Sequence, residues 1–248
     1  MQDFIISIIT VCFNAEPTIE RCILSVINQS FSNIEYIIID GGSTDNTLNI
    51  IDKYKHKIKI VVSEADNGIY DAMNKGIKIA KGEIVGMLNA DDFFADENIL
   101  LNVAKAFKLN NPDVLYGDLD YVDNSNKVIR SWKSGKYSNG IFNWGWMPPH
   151  PTFYCKRIYF EKLGYYSLNY GTAADYELMV RFLHLNKLSV FYLKLIMVKM
   201  EIGGASNNSI YNRIKVIKND YKAMVKNGIM FPLVSIFLKP LRKIVQYF

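Results

Sequence analysis

The segment SIITVCFNAEPTIERCILSVINQSFSNIEYIIIDGGSTDNT, residues 7–47, places a helix-like stretch between two apolar runs. Short runs that are apolar throughout are typical of strands buried on both faces. We therefore predict strands at Phe4–Phe13 and Glu35–Asp40, and a helix at Pro17–Asn28 with proline in its tolerated first turn. This order and these lengths predict a parallel sheet.

The same alternation of strands and helices continues along the chain after this segment. Helices are predicted at Thr47–Tyr54 and Ile69–Ala80, and strands at Ile58–Ser63 and Glu83–Asn89. Beyond residue 110 the alternation is less regular, with strands predicted at Asp113–Asp123 and within Lys187–Glu201, a loop at Lys133–Pro149, and helices at Asp175–Asn186 and Asn208–Asn227. The predicted fold class is α/β, with a mostly parallel sheet flanked by helices.

Composition narrows the class of protein. Half of the 248 residues are hydrophobic, which is enough for a substantial core. The three cysteines have neither metal-site nor disulfide spacing, so we expect a reducing cytosol. Residues 1–14 lack the features of a secretory signal, and the longest uncharged apolar window, within 227–238, is too short to cross a bilayer.

The C-terminal segment is strongly basic. From Arg213 onward the chain has eight basic residues and one acidic residue, whereas the rest is slightly acidic. In residues 229–248 an apolar run precedes Lys239, Arg242 and Lys243. With prolines expected to break a continuous helix, we predict a tail that lies on the inner membrane face with its basic groups toward anionic lipid. The alternative is packing on the protein core or on a second subunit.

Acidic, amide and glycine residues follow three of the predicted strands. They form the clusters Asp40–Gly42, Asp66–Gly68 and Asn89–Asp92. Each cluster alone is ordinary turn chemistry. The carboxyl ends of parallel strands meet at one sheet edge, however, where ligands bind in such folds. All three together therefore indicate a ligand site.

Two of these clusters have distinct predicted roles. The adjacent carboxylates Asp91 and Asp92 repel each other, so a divalent cation, Mn²⁺ or Mg²⁺, shared with substrate phosphates is expected there. The alternative is that Asp92 or Asp96 caps the following helix, and we expect one carboxylate on the metal with a neighbour capping. Asp40, beside glycines that permit close approach, is predicted to accept a hydrogen bond from a nucleobase or ribose.

These segments resemble the family 2 glycosyltransferases, which have the GT-A fold. The resemblance rests on residues 7–31, 35–47 and LNADD at 88–92, in that order and spacing. Three further segments, SEADNGIYDAMNKGI (63–77), GTAADYELMVRFL (171–183) and GGAS (203–206), resemble a bacterial subgroup that builds surface polysaccharides. The resemblance implies a GT-A domain at 1–207, with a nucleotide-sugar half (1–112) and an acceptor half (113–207), followed by a helical, basic tail at 208–248.

The resemblance also implies which residues bind the sugar donor. They are Val11, Phe13, Asp40, Asp66, Asn67, Gly68, Asn74, Asn89 and Asp91. Phe13 would stack on the nucleobase. Asn89 stands where the family's Asp-x-Asp motif more commonly begins with aspartate, so Asp91 would be the direct metal ligand and Asp92 a secondary one.

The acceptor half contains the implied general base. The family places an acidic residue at the start of a late helix, and Asp175 matches that position, with Ala174 where glutamate is common. A carboxylate there would take the proton from the attacking hydroxyl. The alternative is that Asp175 only caps the helix, and Glu177 is the second candidate base.

Other residues of this half are candidate acceptor contacts. His150 among prolines is either structural or in contact with the acceptor or diphosphate. Trp144 and Trp146 either stack on sugar rings or anchor a long loop. The turn at 203–206 is predicted either to hold phosphate or to be an ordinary turn.

The predicted function is inverting transfer of a sugar from a nucleoside-diphosphate donor, UDP-linked, to a glycan or lipid-linked acceptor in polysaccharide biosynthesis. The enzyme would be cytoplasmic and peripheral to the membrane, with no nucleic-acid partner. One rival is a nucleotidyltransferase, which would need a basic phosphate loop, yet residues 8–18 contain no Lys or Arg. The other is a non-catalytic nucleotide-sugar-binding homologue, which Ala174 and Asn89 would suit.

Overall fold

The computed structural model describes residues 4–201, 210–244 and 246. The strands in this part of the chain are β1 Ile6–Cys12, β2 Ile34–Asp40, β3 Ile60–Ser63, β4 Ile84–Met87, β5 Asp92–Phe94, β6 Val114–Val122, β7 Val128–Trp132, β8 Tyr154–Lys156 and β9 Val190–Glu201. The helices are α1 Ile19–Ile27, α2 Thr47–Lys53, α3 Ile69–Ile79, α4 Ile99–Asn110, α5 Ile158–Leu163, α6 Ala174–Met179, α7 Ile210–Lys226 and α8 Pro232–Ile244. A π-helical segment, Val180–Leu185, continues α6.

The strands form one sheet in the order β3-β2-β1-β4-β8-β6-β9-β5, with β7 paired to β6. The first four are parallel, as the alternating sequence predicted. The other half is mixed, because β8 runs antiparallel to both β4 and β6 and β5 runs antiparallel to β9. The predicted α/β class with flanking helices and C-terminal helices is confirmed, and its parallel character is concentrated in the N-terminal half.

Helices cover both faces of the sheet, which explains why the central strands are apolar throughout. Alternate residues of β1 point to opposite faces: Ile8 belongs to the core beneath α1 and α4, and Ile9 to the core beneath α3. The helix α3 lies close to the sheet at Gly76, where an added Cβ would collide with Ile9. This close contact holds the start of α3 at the sheet edge where the acidic clusters lie.

The C-terminal segment differs from its prediction. Pro232 and Pro240 do not break it: Pro232 begins α8, and Pro240 lies inside the same helix. Proline in the first turn removes no intrahelical hydrogen bond. Packing holds the rest of the helix, since an added Cβ at Gly145 would lie 2.5 Å from the backbone nitrogen of Lys239. The inner side of α8 therefore packs on its own protein, and the predicted membrane contact of the tail stays a prediction.

No helix in the described residues is both long and apolar enough to cross a bilayer. All three cysteines are buried free thiols. The predicted division into a domain at 1–207 and a tail at 208–248 stays a prediction, and residues 203–206, predicted to hold phosphate or form a turn, lie outside the described residues.

Candidate active site

The carboxyl ends of β1 and β2 form a small recess. Cys12 and Asp40, the last residues of the two strands, are register partners, and Gly41 N donates to Cys12 O at 2.9 Å. An added Cβ at Gly41 would lie 2.6 Å from Asp66 Oδ2 and 3.5 Å from a ring carbon of Phe13. A side chain at Gly41 would therefore displace the Asp66 carboxylate, and Phe13 and Asp66 lie beside each other across this glycine. The Phe13 side chain is 63% exposed, so its ring is free to stack on a planar ligand.

Asp40 is placed differently from its prediction. It is fully buried, and its carboxylate accepts hydrogen bonds from Ser43 N (3.0 Å), Ser63 Oγ (2.6 Å) and Gly42 N (3.2 Å), and also from the Ser43 hydroxyl. Burial alone would raise the pKa of Asp40, but the hydrogen bonds from Ser43 and Ser63 bring that pKa below its ordinary value. Asp40 thus holds the loop after β2, and the carboxylate beside the exposed Phe13 ring is that of Asp66.

The segment after β3 leads into α3. Asn67 and Gly68 are exposed at the helix start, where Gly68 has φ 103° and Asn67 N donates to Asp71 Oδ2 at 3.0 Å. Asn74 is buried one turn later. Its amide donates to Tyr166 O at 2.8 Å, and its carbonyl accepts from Tyr166 N at 2.9 Å. Asn74 therefore ties α3 to the acceptor half instead of facing the sugar donor, which corrects its predicted contact. Buried Val11 lies in the core cluster beneath α3.

The cluster after β4 places two carboxylates in different surroundings. Asp92 is completely buried at the start of β5, and its Oδ2 accepts from Asn89 Nδ2 at 3.0 Å. The residue before α4 is Asn98, which makes no side-chain cap bond of its own, and Asp96 Oδ1 accepts from Asn98 N at 2.7 Å. The predicted capping role is wrong for Asp92, because the strand β5, which was not predicted from the sequence, separates it from the helix. Asp91 keeps partial solvent access.

The electrostatics of this cluster fit a cation. Burial, with a further contribution from Glu201, raises the pKa of Asp91, and burial followed by the charge of Asp91 raises the pKa of Asp92 well above its ordinary range. The nearest cation, Arg21, pairs with Glu201 at 2.7 Å. In the described residues, Asn89 Oδ1 and Asp92 Oδ1 are buried without hydrogen-bond partners. The oxygen atoms present are thus under-compensated and are of the kind that Mg²⁺ and Mn²⁺ prefer.

The residues present would not enclose a metal by themselves. Across the described ranges, no group of three or more His, Cys, Asp or Glu side chains is arranged to hold an ion. Mg²⁺ typically binds through one or two carboxylates and completes its coordination with water and substrate phosphates. These oxygen ligands therefore fit a metal ion that is shared with a substrate diphosphate. On the protein side, Asp91 would hold that ion.

A cavity of 730 Å³ opens where residues 119–200 meet α7 and α8, and Asp175 lines it. Asp175 is half-buried in the first turn of α6, and its Oδ1 accepts from Tyr176 N at 2.7 Å. Met200 also lines the cavity, and its backbone is the register partner of Asp92 in the β5–β9 pair. The strand pair carrying the predicted metal ligands thus reaches the wall of the cavity that holds the predicted base.

Three aromatic side chains surround Asp175. His150 Nε2 is 2.7 Å from the Tyr166 hydroxyl, and the rings of Tyr166 and Tyr70 are 5.4 Å apart. Burial and then the nearby Asp175 charge raise the pKa of Tyr70 well above its ordinary value, whereas burial lowers the pKa of His150 although Asp175 opposes that shift. Sequence analysis missed both tyrosines. Tyr70 lies within the quoted segment at 63–77, where its position next to Asp71 was the only available signal.

The other acceptor-half predictions have mixed outcomes. Glu177 is buried, paired with Arg181 at 3.0 Å and in contact with Asn227, so it does not face the cavity and is not an alternative base. Trp146 lines the cavity but is buried, and its Nε1 donates to Ser134 O at 2.7 Å, which is the anchoring role. Trp144 is exposed beside Phe231 and lies outside the cavity lining. His150 lines the cavity, as an acceptor contact would.

Comparison with known proteins identifies relatives of the whole chain. The sequence profile "Glycosyl transferase family 2" matches residues 7–167. An Escherichia coli protein, "UDP-Glc:alpha-D-GlcNAc-diphosphoundecaprenol beta-1,3-glucosyltransferase WfgD", is 26% identical over 229 residues, which cover 90% of this chain and 87% of that protein.

Two solved structures share the fold. Staphylococcus aureus TarS 1–349 in complex with UDP-GlcNAc has a TM-score of 0.71 at 20% identity, covering 90% of this chain and 66% of that one. Mannosyltransferase PcManGT from Pyrobaculum calidifontis, in complex with GDP-Man and Mn²⁺, has a TM-score of 0.68 at 16% identity, covering 98% and 74%. At these identities the likeness establishes the fold. With the profile match over residues 7–167, the chain belongs to glycosyl transferase family 2, and its fold is of the GT-A type.

Proposed function

We propose that this glycosyltransferase moves a sugar, with inversion, from a UDP-linked donor to a glycan or lipid-linked acceptor. The observation that carries the proposal is the position of Asp175, which lines a 730 Å³ cavity whose wall continues to the strand pair beginning at Asp92. One carboxylate facing a cavity of this size suits a single displacement by an activated hydroxyl, which inverts the anomeric centre. The name of the WfgD relative, with a UDP-sugar donor and a diphosphoundecaprenol-linked acceptor, supports the same reaction class.

The sugar donor would bind at the edge formed by the ends of β1, β2 and β4. Phe13 offers an exposed ring face to the base, and Asp66, beside it, offers a carboxylate to base or ribose donors. Asn67 and Gly68 present the start of α3 to the same region. Asp40 and Asn74 act indirectly, because one holds the loop after β2 and the other ties α3 to the Tyr166 loop.

Asp91 would hold the divalent metal, and Asp92 would support it from the buried side. A Mn²⁺ or Mg²⁺ ion at this position offsets the negative charge that develops on the departing diphosphate. Burial and then the charge of Glu201 raise the pKa of Asp91, and the charge of Arg21 offsets this only in part, which supports a bound cation there. Asn89 keeps one unpartnered amide oxygen at the same place, among the described residues, for a ribose hydroxyl or a water molecule.

Asp175 would take the proton from the acceptor hydroxyl as that oxygen attacks the anomeric carbon. Tyr70 and Tyr166 enclose Asp175 and limit water around it. His150, hydrogen-bonded to Tyr166, is kept neutral by burial and so does not compete as a cation for the carboxylate. Tyr70 belongs to α3, so the helix that begins at the sugar-donor site also contacts the base.

Hydrolysis and transfer assays with a panel of nucleotide sugars test this proposal. We expect slow metal-dependent hydrolysis of a UDP-sugar by the wild-type protein and its loss in Asp91→Asn. A protein that binds UDP with Mn²⁺ but hydrolyses no nucleotide sugar would favour the non-catalytic homologue. Release of pyrophosphate from a nucleoside triphosphate would favour a nucleotidyltransferase instead.

We further propose that α7 and α8 attach the enzyme to a membrane surface. The exposed apolar side chains of α8 recur along one side of the helix, at Leu233, Val234, Phe237, Leu241 and Ile244. Those of α7 recur likewise, at Ile214, Ile217, Tyr221 and Val225. Exposed lysines follow the same helix at the helical spacing, at Lys215, Lys218, Lys222 and Lys226. Apolar stripes with flanking cations and no exposed acid beside them suit an anionic lipid interface.

A further inference from the structure

The basic residues of α8 do not lie on its exposed apolar side. Leu233, Phe237 and Ile244 follow one another at near-helical spacing on the outer side, while Arg242 and Lys243 line the 730 Å³ cavity. The prediction that these cations face anionic lipid is therefore wrong for α8. The packing of the helix on Gly145 causes this, because it turns the cationic side toward Asp175.

The cavity has more positive than negative side chains. Its charged lining residues are Lys133, Lys239, Arg242, Lys243, Asp175 and Asp220. Lys239 already has partners for its charge, since its Nζ pairs with Asp220 at 2.7 Å and lies 3.8 Å from the centre of the Tyr176 ring. Asp175 is the proposed base and has to stay anionic. The remaining cations therefore have no matching acid in the lining.

Arg242 and Lys243 are held in position for a ligand. Arg242 Nε donates to Trp144 O at 2.8 Å, which fixes the guanidinium at the cavity wall. In residues 4–201, 210–244 and 246, no carboxylate pairs with Arg242 or Lys243. Lys243 is exposed and lines the cavity, yet burial of its ammonium group among protein atoms, and then the charges of Lys239 and Arg130, lower its pKa, while Asp220 and Asp175 oppose that shift. Two cations beside each other without a paired carboxylate favour a bound anion.

From this geometry we infer that Arg242 and Lys243 form an acceptor subsite for a phosphate or diphosphate group that joins the acceptor sugar to a lipid. The inference rests on the proposed transfer function and names the acceptor class. Arginine and lysine together are suited to phosphate oxygens. The opposite side of the same helix is apolar and exposed, so a lipid chain joined to a phosphate held here would have to pass around α8 to reach that surface. Asp91, where the sugar donor's diphosphate would bind, is not part of this lining.

The test measures binding of farnesyl diphosphate to the full chain saturated with UDP and Mn²⁺, with farnesol as the phosphate-free control. We expect wild type to bind farnesyl diphosphate and to bind farnesol much more weakly. Arg242→Gln and Lys243→Gln should each raise the Kd for farnesyl diphosphate about tenfold, the size of one charge-assisted hydrogen bond. The Kd for UDP should not change.

Conservative variants guard against loss of structure. Arg242→Lys and Lys243→Arg keep the charge and should keep most of the affinity, while Lys105→Gln on exposed α4 is a matched control with no expected effect. Unchanged binding of farnesyl diphosphate in the Gln variants would overturn the inference. So would a parallel loss of UDP affinity, which would assign the cations to the sugar donor's diphosphate. Failure of the proposed function would show separately, as a wild-type protein that hydrolyses no nucleotide sugar.

Discussion

Two regions carry charged groups at a proposed binding surface: the sheet edge at the ends of β1, β2 and β4, and the C-terminal helices α7 and α8. The positions of the charged groups have different physical causes in the two regions. At the edge, the parallel strands β1, β2 and β4 end side by side, so residues that follow a strand necessarily meet. In α8, the direction of each side chain depends on which side of the helix packs against the protein. The local sequence pattern is therefore a good guide to the sheet edge. For α8 the same kind of pattern placed the cations on the wrong side of the helix.

The largest effect is expected from a substitution at the sheet edge where the sugar donor would bind. Asp91→Asn should abolish transfer and metal-dependent UDP binding, because the amide cannot replace the carboxylate on the metal. Isothermal titration of UDP with and without Mn²⁺, together with transfer rates, measures both. Asp52→Asn, an exposed acid in α2, is the matched control. Unchanged turnover in Asp91→Asn would remove this residue from the site.

The second effect concerns the proposed general base in the cavity. Asp175→Asn should lower kcat about 10²-fold or more, the usual cost of losing a general base, while UDP affinity stays unchanged. Steady-state kinetics with separate titration of UDP checks this. If sugar-donor affinity fell as far as kcat, Asp175 would be a binding or structural residue instead.

A third experiment examines the outer side of the C-terminal helices. Leu233 and Phe237 are 72% and 68% exposed, so replacing both with serine should leave the fold intact while removing apolar area from the proposed membrane surface. We expect flotation with anionic liposomes at low salt to fall at least about tenfold. The control is Leu109→Ser, because Leu109 is 82% exposed on α4 and lies away from these helices. Equal flotation of all three proteins would contradict membrane attachment through α8.

A smaller effect is expected at Phe13, in the recess where the nucleobase of the sugar donor would bind. Phe13→Ala should raise the Kd for UDP about tenfold, since stacking of a base on an aromatic ring contributes about 1–3 kcal/mol. Phe13→Tyr keeps the ring and should bind nearly as well as wild type. If Phe13→Ala bound UDP normally, the base would lie elsewhere than on this exposed ring.

The smallest effect is a pH dependence at the metal ligands. Burial raises the folded-state pKa of Asp91 above its unfolded value, so without metal the folded protein loses stability as pH rises through that raised pKa. The metal needs the charged carboxylate, so the Mn²⁺-dependent increase in Tm should grow over the same pH range. Thermal melts of wild type and Asp91→Asn between about pH 4 and about pH 7 measure it, and a metal shift independent of pH would contradict the assignment.

Much of the sugar-donor half followed from sequence alone. The apolar runs predicted β1 and β2 within two residues at their ends, and the 3–4 spacing of apolar residues predicted α3. These elements form largely from local pattern and burial on both faces. The strand-end argument also placed Asp66 and Asp91 on one sheet edge, and the family resemblance added Phe13, which lies beside Asp66 in the structure.

The hydrogen-bond partners of the site residues, the strand β5 and the orientation of α8 depended on tertiary contacts. Asp40 and Asn74 are polar residues next to the site, but neighbouring Ser43, Ser63 and Tyr166 occupy their hydrogen-bonding groups, and no spacing rule predicts such partners. The short strand β5 lies between Asp92 and the helix it was expected to cap. In α8 the sequence determined an amphipathic helix with its cations together on one side. The glycine at position 145 allowed the helix backbone to approach, and that contact turned those cations toward the base and away from the lipid.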